Sequence, residues 1–186
     1  MPLLRHLPNL LTILRIALIP VLVALLLHGR YAAALQVFLV AGVSDALDGF
    51  IARRFDLCSR LGSLLDPLAD KLLVVASALV LARLRLLPWW LALVVIGRDL
   101  VIVGGAVAYY RRTGGIEMAP SVLGKVNTFV QVVLVLAILV NGAGLAGLTA
   151  LLPPLYAVTL ALALVSGGEY VLVWGRKAGI FSRLKG

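Results

Sequence analysis

Residues Tyr31–Ala82 read YAAALQVFLVAGVSDALDGFIARRFDLCSRLGSLLDPLADKLLVVASALVLA. The stretch holds two apolar runs, Tyr31–Arg53 and Leu61–Ala82, separated by a short polar connection. Each matches the roughly 20 residues a helix needs to cross a bilayer core. Helices joined so closely are expected to be antiparallel neighbours. Four aspartates, Asp45, Asp48, Asp66 and Asp70, lie inside these runs.

The same pattern extends in both directions. Further runs occupy Leu10–Leu27, Pro88–Tyr110, Ser121–Val140 and Pro153–Trp174, which makes six. Pro88 and Pro153 suit first helical turns. Trp89, Trp90, Tyr109, Tyr110 and Trp174 stand at run ends, where interfacial aromatics belong. The whole chain of 186 residues is 62% hydrophobic and 13% charged, with a mean hydropathy of +1.10. Soluble chains carry about 45–50% apolar and about 25% charged residues. This composition excludes a soluble enzyme, a disordered chain and a secreted disulfide scaffold. The expected fold is an all-α integral membrane protein, a six-helix transmembrane bundle forming a single domain over 1–186. Residues 2–8 form a short interfacial segment before it. Leu10–Leu27 does not read as a cleavable signal, because it is long, carries Arg15 and has no small-residue cleavage site after it.

The net charge of +9 comes from residues between the apolar runs. These read as membrane-flanking anchors rather than a nucleic-acid surface. With a cytoplasmic N-terminus, that side holds Arg5, Arg53, Arg54, Arg60, Arg111, Arg112, Arg176, Lys177, Arg183 and Lys185. Only Arg30, Arg83 and Arg85 fall opposite. The positive-inside rule then places both termini, and the connection between the second and third runs, in the cytoplasm. Cys58 stands alone, so no intramolecular disulfide forms, and it reads as an inert loop residue.

A charged side chain at mid-membrane costs roughly 2.5–3.5 kcal/mol on insertion scales, so intramembrane carboxylates carry function by default. Asp45 and Asp48 are three residues apart and share one helix face. Asp66 and Asp70 are four apart and share another. Four carboxylates are thereby expected to converge near the cytoplasmic ends. Their repulsion needs a counter-charge beyond Lys71 and Arg53. Oxygen-only ligands suit Mg²⁺ or Mn²⁺, and four carboxylates can hold two ions across a pyrophosphate. Gly49, Ala52 and Gly62 leave room for a flat ligand, although small residues also serve close helix packing. Arg53 suits a phosphate.

In order these residues read Asp45-x-x-Asp48-Gly49-x-x-Ala52-Arg53, eight residues, then Gly62-x-x-x-Asp66-x-x-x-Asp70. The pattern over 45–70 resembles the hallmark motif of the CDP-alcohol phosphotransferase family, with all eight fixed positions present. The resemblance implies two metal ions held by the four aspartates, with Asp70 also the base. It places Gly49, Ala52, Arg53 and Gly62 around the CDP moiety. It also implies a homodimer and an active site facing the cytoplasm.

Asn9-Leu10-Leu11-Thr12-x-x-Arg15 resembles the N-terminal stretch of bacterial phosphatidylglycerophosphate synthases and of cardiolipin synthases sharing this fold. Both use CDP-diacylglycerol, and the resemblance to the bacterial synthases implies a bacterial inner (cytoplasmic) membrane. Asn9 and Thr12 are candidates for nucleotide contact, with helix capping and back-bonding as the structural alternatives. Arg98 and Lys125 are candidates for an acceptor phosphate. Arg98 is not expected to pair with Asp99, because adjacent residues diverge on a helix. Family members acting on glycerol phosphate tend to show Arg-Glu here and a second Arg eight residues on. This chain has Arg98-Asp99 and Ala106. Lys125-Val126-Asn127-Thr128 resembles the cardiolipin synthases more closely, which favours phosphatidylglycerol over glycerol 3-phosphate. An intramembrane prenyltransferase and a cation channel or transporter are the competing classes. No role is assigned to Glu169.

Overall fold

The computed structural model describes residues 7–55, 62–113 and 121–177, with side chains at 12–45, 69–105 and 121–172. Its described residues form six α-helices and no strand. They are α1 (Leu7–Leu27), α2 (Tyr31–Phe55), α3 (Gly62–Arg83), α4 (Trp89–Thr113), α5 (Val122–Gly142) and α6 (Leu152–Lys177). A short 3-10 turn, Thr149–Leu151, leads into α6.

All six apolar runs are helical, and the differences lie at their ends. Helix α1 begins before Leu10, so Asn9 is its third residue and not its cap. Pro88 precedes α4 instead of lying within its first turn. Its carbonyl accepts from the Leu91 and Ala92 amides at 3.0 and 3.2 Å. Pro153 and Pro154 do sit in the first turn of α6, where a missing N–H leaves no bond unmade. Ser121 caps α5, its Oγ accepting from the Gly124 amide at 3.0 Å.

Three helices end in the same way. At the end of α1 the Arg30 amide reaches Leu25 O at 2.9 Å and the Gly29 amide reaches Leu26 O at 3.0 Å. This is a Schellman closure, and it needs a left-handed residue, here Gly29 with φ 69°. The end of α5 repeats it with Gly144, also at φ 69°. At the end of α3 the left-handed position falls to Arg85, with φ 59°.

The chain divides into two compact units. The first comprises 1–87 with 135–150, and in it α1 packs against both α2 and α3. The second comprises 88–134 with 151–186, and in it α4 packs on α6.

Both units bury polar side chains within an apolar core and expose large apolar side chains on the outside. The first buries Thr12, Arg15, Ser44 and Ser77 while exposing Ile13, Val21, Val40, Val43 and Leu72. The second buries Arg98, Asn127, Gln131, Thr159 and Ser166 while exposing Leu93, Leu100, Phe129, Leu164 and Val165. Three of these buried hydroxyls donate back to their own helices. Ser44 donates to Val40 O and Ser77 to Leu73 O, both at 2.7 Å, and Thr159 to Leu155 O at 2.8 Å. An apolar exterior around bonded polar groups suits lipid as solvent. Among the described residues, two segments are long and apolar enough to cross a membrane, Val122–Gly142 and Thr149–Leu172. The apolar parts of α1 and α2, Thr12–Leu27 and Tyr31–Asp45, are shorter. Charge interrupts α3 at Asp70-Lys71 and α4 at Arg98-Asp99.

Two glycine substitutions should move stability in opposite directions. Gly29→Ala, forced into a left-handed conformation, should cost about 1 kcal/mol. Gly42→Ala, mid-helix in α2 with open space at its Cβ, should add up to about 1 kcal/mol. Thermal unfolding in detergent, compared with the unmodified chain, checks both signs.

Candidate active site

Two carboxylates from separate helices meet on one arginine. Arg15 of α1 is fully buried. Its Nη2 donates to Asp45 Oδ1 of α2 at 2.7 Å, and its Nη1 to Asp70 Oδ1 of α3 at 2.6 Å. The aspartate side chains remain 39% and 41% exposed, so they are reachable from outside while the arginine is not. Short charge-assisted bonds of this kind are roughly twice as strong as neutral ones. Thr12, one helical turn before Arg15, is buried on the same face.

The counter-charge that the aspartates need beyond Lys71 and Arg53 is supplied in part by Arg15, which spacing alone does not assign to them. A signal for it existed. An arginine inside an apolar helix must find a carboxylate, and intramembrane aspartates were the available partners. Asp48 and Asp66 lie on α2 and α3, as do Gly49, Ala52, Arg53 and Gly62, and Gly62 opens α3. Their side chains, and that of Asn9 on α1, fall outside the described residues, as does Cys58.

The second unit fixes a different arginine. Arg98 of α4 is buried, and its Nη1 donates to Asp99 Oδ1 at 2.7 Å. The expectation that these neighbours would not pair is therefore wrong. Adjacent Cβ atoms do diverge, but the arginine arm is long enough to bend back. Its environment holds that bend. Nε donates to Ser166 Oγ of α6 at 3.1 Å, and the guanidinium lies 5.9 Å from the Tyr170 ring centroid. Glycines provide the space. A Cβ on Gly124 would stand 3.3 Å from Arg98 Nη2, and one on Gly167 would stand 3.3 Å from Arg98 Cγ. Tyr170 in turn accepts from the Ser121 amide at 3.3 Å. Lys125 is exposed, so the two expected phosphate-binding cations occupy different environments.

Two amides in the same unit are left open. Both polar atoms of Asn127 and the Nε2 of Gln131 are buried without a hydrogen-bond partner. Leaving such a group unpaired costs about 1–3 kcal/mol.

Chemically, the first unit offers hard oxygen donors brought to one point. Asp45 and Asp70 fit a hard divalent cation, since carboxylate oxygen suits Mg²⁺ or Mn²⁺. No group of three or more His, Cys, Asp or Glu gathers among the described residues. Asp48 and Asp66, which would complete the quartet, have side chains beyond them.

Helical throughout its described residues, with an apolar exterior and an acidic centre clamped by a buried arginine, the chain is consistent with a helical membrane protein. Comparison with known proteins narrows it. Residues 5–167 match the sequence model of the family described as CDP-alcohol phosphatidyltransferase. The chain belongs to this family, whose enzymes transfer phosphatidyl groups and are generally dependent on divalent metal. It is 35% identical over 151 residues to a CDP-diacylglycerol–glycerol-3-phosphate 3-phosphatidyltransferase of Bacillus subtilis, covering 73% of this chain and 77% of that one. It is 42% identical over 147 residues to a CMP-forming cardiolipin synthase of Rattus norvegicus, covering 70% of this chain and 48% of that one. The Homo sapiens cardiolipin synthase is 40% identical over the same shares. The chain thus spans about half the length of these two cardiolipin synthases.

Arg15→Met should destabilise the protein by about 2–3 kcal/mol, less than the roughly 3–5 of a fully buried pair because the carboxylates are part-exposed. Adding Asp45→Asn to Arg15→Met should cost less than Asp45→Asn alone, because the two groups interact directly. A double-mutant cycle by thermal unfolding in detergent measures that coupling.

Proposed function

We propose that this protein transfers a phosphatidyl group from CDP-diacylglycerol to phosphatidylglycerol, forming cardiolipin and releasing CMP. The observation that carries the reaction class is the clamping of Asp45 and Asp70 by Arg15 within the complete family motif. Asp45, Asp48, Asp66 and Asp70 would hold two Mg²⁺ or Mn²⁺ ions, which when bound neutralise the pyrophosphate and the CMP leaving group. Asp70 takes the proton of the acceptor hydroxyl. That oxygen attacks the β-phosphorus of the donor, the bond from this phosphorus to the CMP oxygen breaks, and CMP departs. Gly49, Ala52, Arg53 and Gly62 border the CDP moiety, with Arg53 at its phosphates. Asn9 and Thr12 contact nucleotide from α1. Arg15 holds two of the carboxylates in place. Phosphoryl transfer depends chiefly on such positioning and charge stabilisation.

For the acceptor, Arg98 and Lys125 are assigned to phosphate. Arg98 is already oriented by Asp99, Ser166 and Tyr170. Phosphatidylglycerol is favoured by Lys125-Val126-Asn127-Thr128 and by the higher identity to the named cardiolipin synthases. Glycerol 3-phosphate is the second reading, supported by the match to the Bacillus subtilis enzyme over most of its length.

The apolar exterior and the charge distribution support six membrane crossings with both termini cytoplasmic. They also support an active site on that face of the membrane, with a bacterial inner membrane proposed from the resemblance to bacterial phosphatidylglycerophosphate synthases. Water-soluble CMP then leaves directly while the lipid stays in the bilayer. Residues 5–167 draw on both compact units, which supports 1–186 as one catalytic domain. A homodimer is the proposed assembly.

Purified protein given CDP-diacylglycerol, Mg²⁺ and phosphatidylglycerol should release CMP and form cardiolipin, identified by mass. EDTA should abolish this and added Mg²⁺ or Mn²⁺ restore it. Asp70→Asn should lower kcat by about 10²–10⁴-fold, the range for losing a general base. Formation of phosphatidylglycerophosphate from glycerol 3-phosphate alone would overturn the acceptor assignment and keep the chemistry.

A further inference from the structure

Asn127 and Gln131 stand apart from the other buried polar residues of the second unit, although the half-buried Glu169 also keeps its Oε2 without a partner. Arg98, Ser166 and Thr159 all have partners. Even Thr128, beside Asn127, donates to Gly124 O at 3.1 Å. Asn127 is fully buried with both Oδ1 and Nδ2 unbonded, and Gln131 is 4% exposed with Nε2 unbonded. The set amounts to one acceptor and at least two donors with nothing to bind.

Their placement on α5 is informative. Gly124, Asn127 and Gln131 are spaced by three and four residues, so they share a face, with the amides about 5–6 Å apart at Cβ. Gly124 shows what lies at the start of that face. Its missing Cβ leaves room for Arg98 Nη2, with the Tyr170 ring at 3.6 Å. Asp99 takes Nη1 of that arginine and Ser166 takes Nε, while Nη2 lies over the glycine. Beyond Gln131 the face turns apolar at Leu134, which is buried. A strip therefore runs from a fixed guanidinium, past two open amides one and two turns on, to an apolar stop.

We propose that Asn127 and Gln131 recognise the hydroxyls of a glycerol-phosphate group whose phosphate faces Arg98. The proposal rests on the acceptor reading above and extends it to the residues that choose the acceptor. The chemistry matches group by group. Each hydroxyl of a glycerol both donates and accepts, and an amide offers both complements. A guanidinium suits phosphate oxygens. Buried polar groups unpaired in the free protein strongly disfavour any ligand that cannot pair them. The same moiety occurs in phosphatidylglycerol and in glycerol 3-phosphate, so both are test arms.

Asn127→Leu and Gln131→Met keep side-chain bulk and remove the open donors and acceptor. With saturating CDP-diacylglycerol, each should raise KM for the active acceptor about 3–10-fold, the effect of one neutral hydrogen bond, and the double variant more. The donor KM should stay within about twofold. The melting midpoint should hold or rise, because no existing bond is lost. A fall in melting midpoint with unchanged acceptor KM would overturn the proposal, since the amides would then hold only structure or ordered water. Equal rises in donor and acceptor KM would also overturn it. A second measurement does not need turnover. Phosphatidylglycerol in mixed micelles, or glycerol 3-phosphate in solution, should raise the melting midpoint of the unmodified protein and not of the double variant. If the unmodified protein releases no CMP but shows this variant-sensitive shift, the reaction is wrong and the binding site stands. If it releases CMP and neither KM nor the thermal shift differs in the variants, the site is wrong and the reaction stands.

Discussion

Arg15 bonds Asp45 at 2.7 Å and Asp70 at 2.6 Å, and the organisation of the first unit follows from that double contact. Inside an apolar helix a guanidinium cannot keep its hydration, so it must be met by carboxylate. Two carboxylates drawn together would repel each other, so they in turn need a cation. Each group removes the other's penalty. The constraint also dictates packing, because a residue on α1 can reach both partners only if α2 and α3 both lie against α1, as they do. The buried end of the arrangement is the arginine and the accessible end is the pair of aspartates. A site built this way has its acidic groups positioned before any ligand arrives.

The second unit meets the same requirement by other means. Arg98 spends its donors on Asp99 and Ser166 and rests near Tyr170, and glycines on α5 and α6 leave the space it needs. The hydroxyls of Ser44, Ser77 and Thr159 turn back to their own helices. The amides of Asn127 and Gln131 follow neither pattern. Polar groups in this molecule are thus clamped, self-satisfied or left open, and the open ones are the departure from the local rule. Such departures are where functional constraint outweighs local stability.

Much of the architecture was legible because its causes are local. Apolar runs bounded by His28-Gly29-Arg30 and Asn141–Gly147 became helices closed by left-handed glycines. Misplacements were of one to three residues, as with Asn9 and Pro88, where the last turn depends on hydrogen bonds that the pattern does not display. Asp45 and Asp70 were recognisable because a carboxylate in an apolar run contradicts its surroundings. Arg15 contradicted its surroundings equally, but its significance depended on which helix it faced.

The amino-acid sequence by itself determined the helical, lipid-suited character of the chain, the approximate extent of each helix and the family motif. These follow from hydrophobic periodicity, capping residues and spacing along one strand of chain. Tertiary structure alone decided that Arg15 is the counter-charge, that Arg98 folds back to Asp99, and that Asn127 and Gln131 are left without partners. Each of those outcomes is a hydrogen bond made or withheld in three dimensions, by side chains long enough to choose among several neighbours. Spacing limits what such a side chain can reach, and packing selects the partner.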